Sequence, residues 1–201
     1  ALLITFGTAG TGGFGVPTPV SDFTAAQQWI ITIFMLLFGI NFSCYYLILL
    51  RQFRSIFKDE ELRLYIGIVA GSVLLIVANL WGTFSSAEET FRHAFFQVSS
   101  IITTTGFATT DFDLWPSFSK GILLMLMITG ACAGSTGGGI KIARVLLIFK
   151  SLRRNIRQVL NPKKVQVIRS NDQVADEQIL ANTNAYLAAY VIIIIASVLL
   201  I

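Results

Sequence analysis

Four long stretches without a charged residue limit what this chain can fold into. They cover residues 23–50, 64–87, 121–140 and 179–201. Each reaches the length of about 20 residues that a helix needs to cross a hydrocarbon core roughly 30 Å thick. Charged residues make up 13% of the sequence, about half their usual share in a soluble domain, whereas hydrophobic residues make up 54%. The composition therefore predicts an all-α integral membrane protein.

Basic residues are concentrated in two segments that connect the apolar stretches. Residues 51–63 and 141–169 hold all but two of the 15 lysines and arginines. This asymmetry follows the positive-inside rule, so we expect both segments on the cytoplasmic side of the membrane. It also gives a reason other than nucleic-acid binding for the net charge of +4. Trp29, Trp81 and Trp115 are expected at the opposite, outer interface, as an aromatic belt.

The remaining apolar stretch, residues 94–110, is short for a membrane crossing. A crossing would place the second basic segment outside, so we expect this stretch to enter the membrane from outside and return. Residues 86–89 (Ser-Ala-Glu-Glu) form a capping-box pattern, which predicts a helix from Ser86 to about Ile101, roughly 21 Å long. The C-terminal end of that helix carries a partial negative charge, which favours a cation there.

A Thr-Thr-Thr-Gly-Phe segment, residues 103–107, directly follows that predicted helix. Extended backbone at membrane depth is tolerated where it packs in protein or lines a watery cavity. A ring of backbone carbonyls can replace the water of a monovalent cation, whose loss costs on the order of 20 kcal/mol. We therefore predict an ion-binding filter at Thr104, Thr105 and Gly106, where glycine can adopt the positive φ that turns a carbonyl towards an axis. A tight turn at the end of a helix is the alternative.

A related segment, Gly-Thr-Gly-Gly-Phe, lies at residues 10–14. When Gly13 is aligned with Gly106, the phenylalanines that follow also coincide, and Arg51 aligns with Arg144. Two such copies predict pseudo-symmetry around one axis, with a second part of the filter in this segment. The segment also matches a dinucleotide-binding fingerprint, but prolines follow at once and the nearest acidic residue comes too soon. The filter residues predicted here are Thr11, Gly12 and Gly13.

Residues 130–139 form a glycine-rich run inside what would otherwise be one helix from about Pro116 to Lys150. Each glycine inside a helix costs roughly 1 kcal/mol relative to alanine, so five of them predict a break. Alignment of the two repeats places the break on the cytoplasmic side of Gly106, where a flexible segment in the ion path would be a gate. Close helix packing through small residues is one alternative, and a phosphate-binding loop is another. The predicted gate consists of Gly130, Ala131, Cys132, Ala133, Gly134, Ser135, Thr136, Gly137, Gly138 and Gly139.

Polar residues outside these motifs suggest further roles. Lys141 and Arg144 follow the glycine-rich run and are expected either to act on permeating ions at the inner mouth or to reach lipid headgroups. Asn41 lies in an apolar stretch at the position that matches Gly134, and we expect it to form a hydrogen bond between helices. His93 is the only histidine, and it is expected at the outer surface. The sequence contains no nucleophile–base arrangement and does not predict an enzyme.

The motifs taken together resemble the Trk/Ktr/HKT superfamily of cation transporters, and within it the TrkH-like membrane subunits. The resemblance rests on residues 96–107, 114–116 and 130–141, and it extends over essentially the whole chain. It implies four repeats, each an outer helix, a pore loop and an inner helix, around a central pseudo-fourfold pore. It makes residues 130–139 the intramembrane gating loop. It also implies that K⁺ is the permeant ion, with no organic cofactor, and that K⁺ is held at Thr11, Gly12, Thr104 and Thr105.

On that template the chain divides into five parts. Residues 1–50 correspond to the end of a pore loop and the inner helix of the second repeat, and residues 51–63 to a cytoplasmic loop. Residues 64–150 correspond to the third repeat, residues 151–178 to another cytoplasmic loop, and residues 179–201 to the first helix of the fourth repeat. The chain begins and ends in apolar sequence, so we expect it to be part of a larger protein.

The resemblance also implies partners and a location. Members of the superfamily are homodimers in the plasma membrane, here the bacterial inner membrane, and TrkA-like nucleotide-binding subunits form a cytoplasmic ring on this branch. Membrane lipid is the other expected partner, and no nucleic acid is expected. The segment from Arg153 to Lys164, with Asn161-Pro162, is the candidate contact for the regulatory subunits. The function that follows is channel-like uptake of K⁺; an ion-coupled carrier with alternating access and a nonconducting scaffold are the alternatives.

Overall fold

A computed structural model describes residues 1–14, 19–161, 168–171, 173–174 and 176–200, with the backbone alone described for residues 169–170 and 173–174. The helices are α1 (Leu2–Ala9), α2 (Ala25–Phe38), α3 (Phe42–Leu49), α4 (Phe53–Lys58), α5 (Glu60–Asn79), α6 (Ala87–Ile102), α7 (Ser117–Thr129), α8 (Ile142–Leu160) and α9 (Glu177–Leu199). Short 3₁₀ helices cover Val20–Asp22 and Phe112–Leu114. Strands β1 (Arg169–Ser170) and β2 (Gln173–Val174) form one short antiparallel pair. The all-α architecture predicted from composition is confirmed.

Within the described residues, two helices are long and apolar enough to cross a membrane, and a bent pair of helices makes a third candidate. The two are α5 and α9, which overlap the charge-free stretches at residues 64–87 and 179–201, although α5 already ends at Asn79. The bent pair is α2 and α3, with an angle of 91° between them. The charge-free stretch at residues 121–140 is divided between the end of α7 and an irregular segment before α8.

The bend between α2 and α3 corrects the expectation of one span over residues 23–50. Asn41 begins α3 as its N-cap, and its side-chain oxygen accepts from the backbone N–H of Ser43 (2.9 Å). The N–H of Phe42 donates to the carbonyl of Gly134 (3.1 Å), so the chain turns towards the glycine-rich run. A local cap and a long-range backbone bond therefore end a helix that the composition alone would continue.

The helix predicted to enter the membrane from outside is α6. Its N-cap is Ser86, whose hydroxyl accepts from the N–H of Glu89 (3.1 Å), and the helix ends at Ile102, close to the predicted end. The Glu89 carboxylate lies 3.8 Å from Nε2 of His93 and does not reach back to Ser86 as a complete capping box requires. The start and the length of this helix are confirmed. The predicted contact of the Glu89 side chain with the backbone of Ser86 was wrong.

The core of the described structure forms on both sides of α6, which packs against α2, α5 and α7. One buried cluster joins α5, α6 and α7 with Trp115 and with Ala131 and Cys132 of the glycine-rich run. A second cluster joins α1, α2 and α6 with Phe107. Protein therefore encloses α6 and the segment after it, which is the setting in which irregular backbone is tolerated at membrane depth.

Two ring-bearing side chains lie elsewhere than predicted. Trp115 is 5% exposed and packs in the core, so it does not belong to an outer aromatic belt. His93 is 7% exposed, and its Nδ1 lies 2.8 Å from the hydroxyl of Thr109 while its ring packs on Phe84. His93 is buried because the segment after residues 103–107 folds back over α6 and covers it.

The predicted cytoplasmic loop at residues 151–178 is helical in its first part, because α8 continues to Leu160. The two basic segments are linked by an ion pair between Glu60 and Lys150. Asn171 adds to this link, because its side chain accepts from the N–H of Glu60 (3.0 Å) and donates to Asp59 (2.9 Å). Part of the predicted contact for regulatory subunits, namely Pro162, Lys163 and Lys164, lies outside the described residues.

Candidate functional site

Three irregular segments meet where the sequence predicts the filter and the gate. Residues 10–14 are named the first filter loop, residues 103–107 the second filter loop, and residues 130–139 the glycine-rich loop. In the second filter loop the N–H groups of Thr105 and Gly106 both donate to the carbonyl of Ser100 in α6 (2.9 and 3.4 Å). The Ser100 hydroxyl donates to the carbonyl of Phe107 (2.5 Å), so one buried serine holds the loop against its helix.

The first filter loop repeats these hydrogen bonds at equivalent positions. Gly12 and Gly13 donate to the carbonyl of Gly7 in α1 (2.9 and 3.5 Å), as their counterparts donate to the last turns of α6. The Thr11 hydroxyl lies 2.8 Å from the carbonyl of the residue before it, and the Thr104 hydroxyl lies 2.7 Å from the equivalent carbonyl. The two loops therefore share one hydrogen-bond pattern, at the offset predicted from the sequence.

Both filter loops also share an uncommon backbone conformation. Thr11 has a φ of +47° and Thr104 a φ of +57°, and two residues later Gly13 has +59° and Gly106 has +86°. Positive φ in a β-branched residue is an outlier that persists only where the surrounding structure imposes it. Its presence at the same position of both loops makes this position a candidate for function.

Three consecutive carbonyl oxygens in each filter loop have no hydrogen-bond donor in the part of the chain that the structure describes. Among the described residues, no hydrogen bond ends on the carbonyl of Thr11, Gly12, Gly13, Thr104, Thr105 or Gly106. The neighbouring carbonyls of Thr103 and Phe107 do accept hydrogen bonds from hydroxyls. Thr11 and Thr105 are buried, and because buried backbone carbonyls are almost always paired, their unpaired oxygens require an explanation. They are available to coordinate a cation.

The two filter loops approach each other at the level of these oxygens. A Cβ placed on Gly13 would lie 1.8 Å from the carbonyl oxygen of Thr105, so no side chain fits there. A Cβ placed on Gly106 would meet no atom within 4 Å. The arrangement therefore packs Gly13 of the first loop against the unpaired Thr105 carbonyl of the second and leaves open space beside Gly106.

The glycine-rich loop leaves α7 and returns to nearly the same place before α8 begins. Three backbone bonds close its base, namely Ile140 to Ile128 (3.1 Å), Lys141 to Thr129 (3.0 Å) and Ile142 to Ala131 (3.0 Å). A Cβ on Gly130 would lie 2.3 Å from the carbonyl oxygen of Gly138, so the two sides of the base are too close for a side chain. The predicted break in the helix is confirmed, and it is a loop closed by its own hydrogen bonds.

Threonine hydroxyls connect the glycine-rich loop to both filter loops. The Thr104 hydroxyl accepts from the N–H of Gly138 (2.7 Å). The Thr11 hydroxyl shares its proton between the carbonyls of Gly10 (2.8 Å) and Thr136 (3.0 Å). One threonine hydroxyl from each filter loop therefore joins that loop to the glycine-rich loop, which lies directly against both.

The glycine-rich loop also pairs with the bend in the other repeat. The N–H of Cys132 donates to the carbonyl of Gly39 at the end of α2 (3.1 Å). Asn41, which matches Gly134 in the repeat alignment, lies against it, since a Cβ placed on Gly134 would lie 2.9 Å from Oδ1 of Asn41. The predicted hydrogen bond from the Asn41 side chain to another helix stays a prediction. Equivalent positions of two inner helices are therefore in contact where each helix is interrupted.

Lys141 and Arg144 lie where the glycine-rich loop joins α8. The Lys141 ammonium donates to the carbonyl of Gly137 inside the loop. The Arg144 guanidinium donates to the carbonyl of Ile140 (3.2 Å) and lies 4.2 Å from the centre of the Tyr186 ring in α9. Both basic groups therefore interact with the end of the loop and its surroundings, and both line a cavity of about 620 Å³ between α8 and α9.

Glu61 is a residue of this region that the sequence did not predict. Its side chain is 8% exposed, and Oε1 accepts from the N–H of Ala133 (2.5 Å) and from the N–H of Ala143 (3.1 Å). One signal was present: Glu61 is the last of three consecutive acidic residues that begin at Asp59, in a segment that also carries four basic residues and precedes an apolar stretch. The sequence could not indicate that this carboxylate reaches the glycine-rich loop.

Comparison with known proteins identifies relatives of the chain. The family model described as TrkH, cation transport protein, matches residues 8–201. This chain belongs to the TrkH family. The Trk system potassium uptake protein TrkH of Escherichia coli (strain K12) is 35% identical over 199 residues, which cover 96% of this chain and 41% of that protein. The Trk system potassium uptake protein TrkG of the same strain is 29% identical over 160 residues, 78% of this chain and 33% of that protein.

The fold of this TrkH-family chain is similar to that of a solved structure. The crystal structure of the potassium transporter TrkH from Vibrio parahaemolyticus matches it with a TM-score of 0.87 and 29% identity, covering 96% of this chain and 42% of that one. The chain thus spans about two fifths of the length of these relatives. The family resemblance, the architecture of helices and pore loops, and the location in the plasma membrane are confirmed.

Proposed function

We propose that the protein containing this chain is a channel-like subunit for K⁺ uptake. The proposal rests on the carbonyls without donors in two filter loops of matching conformation. Rings of backbone carbonyls replace the hydration shell of the ion in K⁺-selective pores. The named relatives are potassium uptake proteins, which supports K⁺ as the permeant ion.

In this proposal K⁺ binds at Thr11 and Gly12 of the first filter loop and at Thr104 and Thr105 of the second. These loops supply part of a carbonyl ring, and repeats in the rest of the protein supply the remainder around a pseudo-fourfold axis. Helices α1 and α6 both end at a filter loop, so the partial negative charge at each C-terminus adds to the attraction for a cation.

The glycine-rich loop is the gate in this proposal. It contacts the threonine of each filter loop, so an ion that leaves the filter on this side meets the loop at once. Conduction therefore requires the loop to move. Lys141 and Arg144 at its end place positive charge at the inner mouth, which opposes a cation resting there.

The proposal extends to the partners of the protein. We expect a homodimer embedded in membrane lipid, with TrkA-like nucleotide-binding subunits attached to the cytoplasmic basic segments. α8 starts directly after the glycine-rich loop and carries Arg153, Arg154 and Arg157 towards its other end. A regulatory subunit that binds these arginines and moves α8 would therefore move the glycine-rich loop directly, because no other helix lies between the loop and α8 in the chain.

An ion-coupled carrier with alternating access is the second candidate, since broken helices occur in such proteins as well. The two filter loops have the same direction and conformation, each following the C-terminus of its helix, which favours one shared pore. Recording from the full-length protein in a planar bilayer tests this choice. We expect unitary K⁺ current steps, and saturating, coupled flux without such steps would support the carrier.

Replacing Thr104 with valine is expected to raise K⁺ flux when regulatory subunits are absent. Valine keeps the β-branched shape and the backbone carbonyl but removes the hydroxyl that accepts from Gly138. Loss of one such bond is worth about 0.5–1.5 kcal/mol, or roughly 2–10-fold in the population of the moved loop. Rubidium tracer uptake into proteoliposomes measures the effect, with Thr104→Ser as the control that keeps the hydroxyl. Equal flux in both variants would show that this bond does not hold the loop.

A further inference from the structure

We propose that Glu61 is a positioning residue that holds the glycine-rich loop in its closed conformation. The inference rests on the proposed function, because it assumes that the loop obstructs the ion path. It adds a residue from another helix, α5, to the control of opening. Neither the filter motif nor the glycine-rich motif contains this residue.

The contacts of Glu61 join two segments that have to separate when the loop moves. Oε1 accepts from the N–H of Ala133 inside the glycine-rich loop (2.5 Å) and from the N–H of Ala143 in the first turn of α8 (3.1 Å). Hydrogen bonds to an ionised carboxylate are roughly twice as strong as those between neutral groups. One oxygen therefore fixes the middle of the loop relative to the helix that follows it.

The surroundings of Glu61 make the closed position favourable. The side chain is buried, and a buried carboxylate without partners is strongly disfavoured. Ala143 belongs to the N-terminal turn of a helix of 19 residues, where backbone N–H groups and the helix dipole favour negative charge. The loop and α8 therefore satisfy the carboxylate only while both are in place.

The bend of the other inner helix meets the same loop. Asn41 caps α3 at that bend, and the N–H of Phe42, the next residue, donates to the carbonyl of Gly134 (3.1 Å). Glu61 and the bend therefore contact adjacent residues of the glycine-rich loop, Ala133 and Gly134. Movement of the loop changes both sets of contacts.

The preceding residue provides a matched control. Glu60 lies in the same first turn of α5 and carries the same charge, but its carboxylate pairs with Lys150 and accepts from the N–H of Asn171. Removal of Glu60 therefore changes the net charge of the same turn without removing a hydrogen bond to the glycine-rich loop.

The test uses the full-length protein in planar bilayers, without regulatory subunits, and compares Glu61→Ala, Glu61→Gln and Glu60→Ala. We expect Glu61→Ala to raise the open probability by about tenfold or more, as loss of hydrogen bonds to a charged group implies. Glu61→Gln, which keeps an acceptor but not the charge, is expected to show a smaller rise. Glu60→Ala is expected to match the wild type. Unitary conductance and the K⁺ to Na⁺ permeability ratio should be unchanged in all three.

A second measurement reports on the loop without any current. Hydrogen–deuterium exchange of the peptide that contains Ala133 and Ala143 should be faster in Glu61→Ala than in Glu60→Ala, since both N–H groups lose their acceptor. Faster exchange with an unaltered open probability would overturn the role in opening. If Glu61→Ala does not assemble, Glu61→Gln carries the test, and wild-type opening in that variant would overturn the proposal.

The proposed function and the role of Glu61 fail in different ways. A wild-type protein without K⁺ conductance would contradict the proposed function, and the role of Glu61 in opening would be lost with it. A conducting wild type whose opening is the same in Glu61→Ala and Glu60→Ala would contradict the role of Glu61 alone. A loss of selectivity in Glu61→Ala would also overturn it, because it would place the effect in the filter.

Discussion

Gly106→Val is expected to abolish K⁺ conduction while the protein still assembles in the membrane. Gly106 has a φ of +86°, a conformation that a β-branched residue reaches at a cost of about 1–3 kcal/mol. That cost corresponds to roughly 5–150-fold in the population of the filter conformation. A Cβ at this position meets no atom within 4 Å, so the side chain enters the open space beside the filter and does not disturb the core.

Gly82→Val is the matched control for this experiment. Gly82 has a φ of +85°, and a Cβ placed on it likewise meets no atom within 4 Å, but it lies outside both filter loops. Rubidium uptake into proteoliposomes measures conduction, and size-exclusion chromatography measures assembly. We expect loss of uptake in Gly106→Val alone. Normal uptake in that variant would show that Gly106 does not shape the conduction path, and absence of uptake in the wild type would favour the nonconducting scaffold. Equal losses in both variants would assign the effect to general backbone strain.

Gly130→Ala is expected to produce a pore that stays open without regulatory subunits. Its Cβ would lie 2.3 Å from the carbonyl oxygen of Gly138 and 2.9 Å from Cα of Gly139, closer than real Cβ contacts allow. Both neighbours are backbone atoms at the base of the glycine-rich loop, so the base itself has to shift. Overpacking of this kind costs about 1–3 kcal/mol, which would raise the population of the displaced loop by roughly 5–150-fold.

The control for Gly130→Ala is Gly121→Ala. Gly121 lies in the first half of α7, the helix that leads into the glycine-rich loop. A Cβ on Gly121 meets no atom within 4 Å, and alanine favours the helix by roughly 1 kcal/mol. Open probability in planar bilayers is the readout, and we expect a rise in Gly130→Ala and none in Gly121→Ala. A fall in current in Gly130→Ala, with normal assembly, would mean that the closed form of the loop is the conducting one.

Local sequence patterns were sufficient to predict the filter loops and the helix before the second one. The cap at Ser86 and the length of α6 depend on neighbouring residues, and the structure agrees with both. The alignment of Gly13 with Gly106 is matched by equal hydrogen bonds and equal signs of φ in the two loops. Such features are predictable because turns and caps use the conformational preferences of single residues.

Long-range contacts account for what the sequence did not reveal. The bond between Glu61 and Ala133 joins residues 72 positions apart, and it depends on how α5 packs against the glycine-rich loop. The bend at Asn41 depends in part on a backbone bond from the next residue to Gly134. Trp115 is buried for a similar reason, since the core around α6 recruits it. Composition and periodicity carry no information about these partners.

The central claim is that the unpaired carbonyls of the two filter loops bind the permeant ion. A structure of the full-length protein crystallised with thallium, which replaces K⁺ and scatters anomalously, tests it most directly. We predict anomalous density between the carbonyls of the first and second filter loops, next to Thr11, Gly12, Thr104 and Thr105. Thallium bound elsewhere along a continuous passage, with these carbonyls paired to other protein groups, would contradict the account.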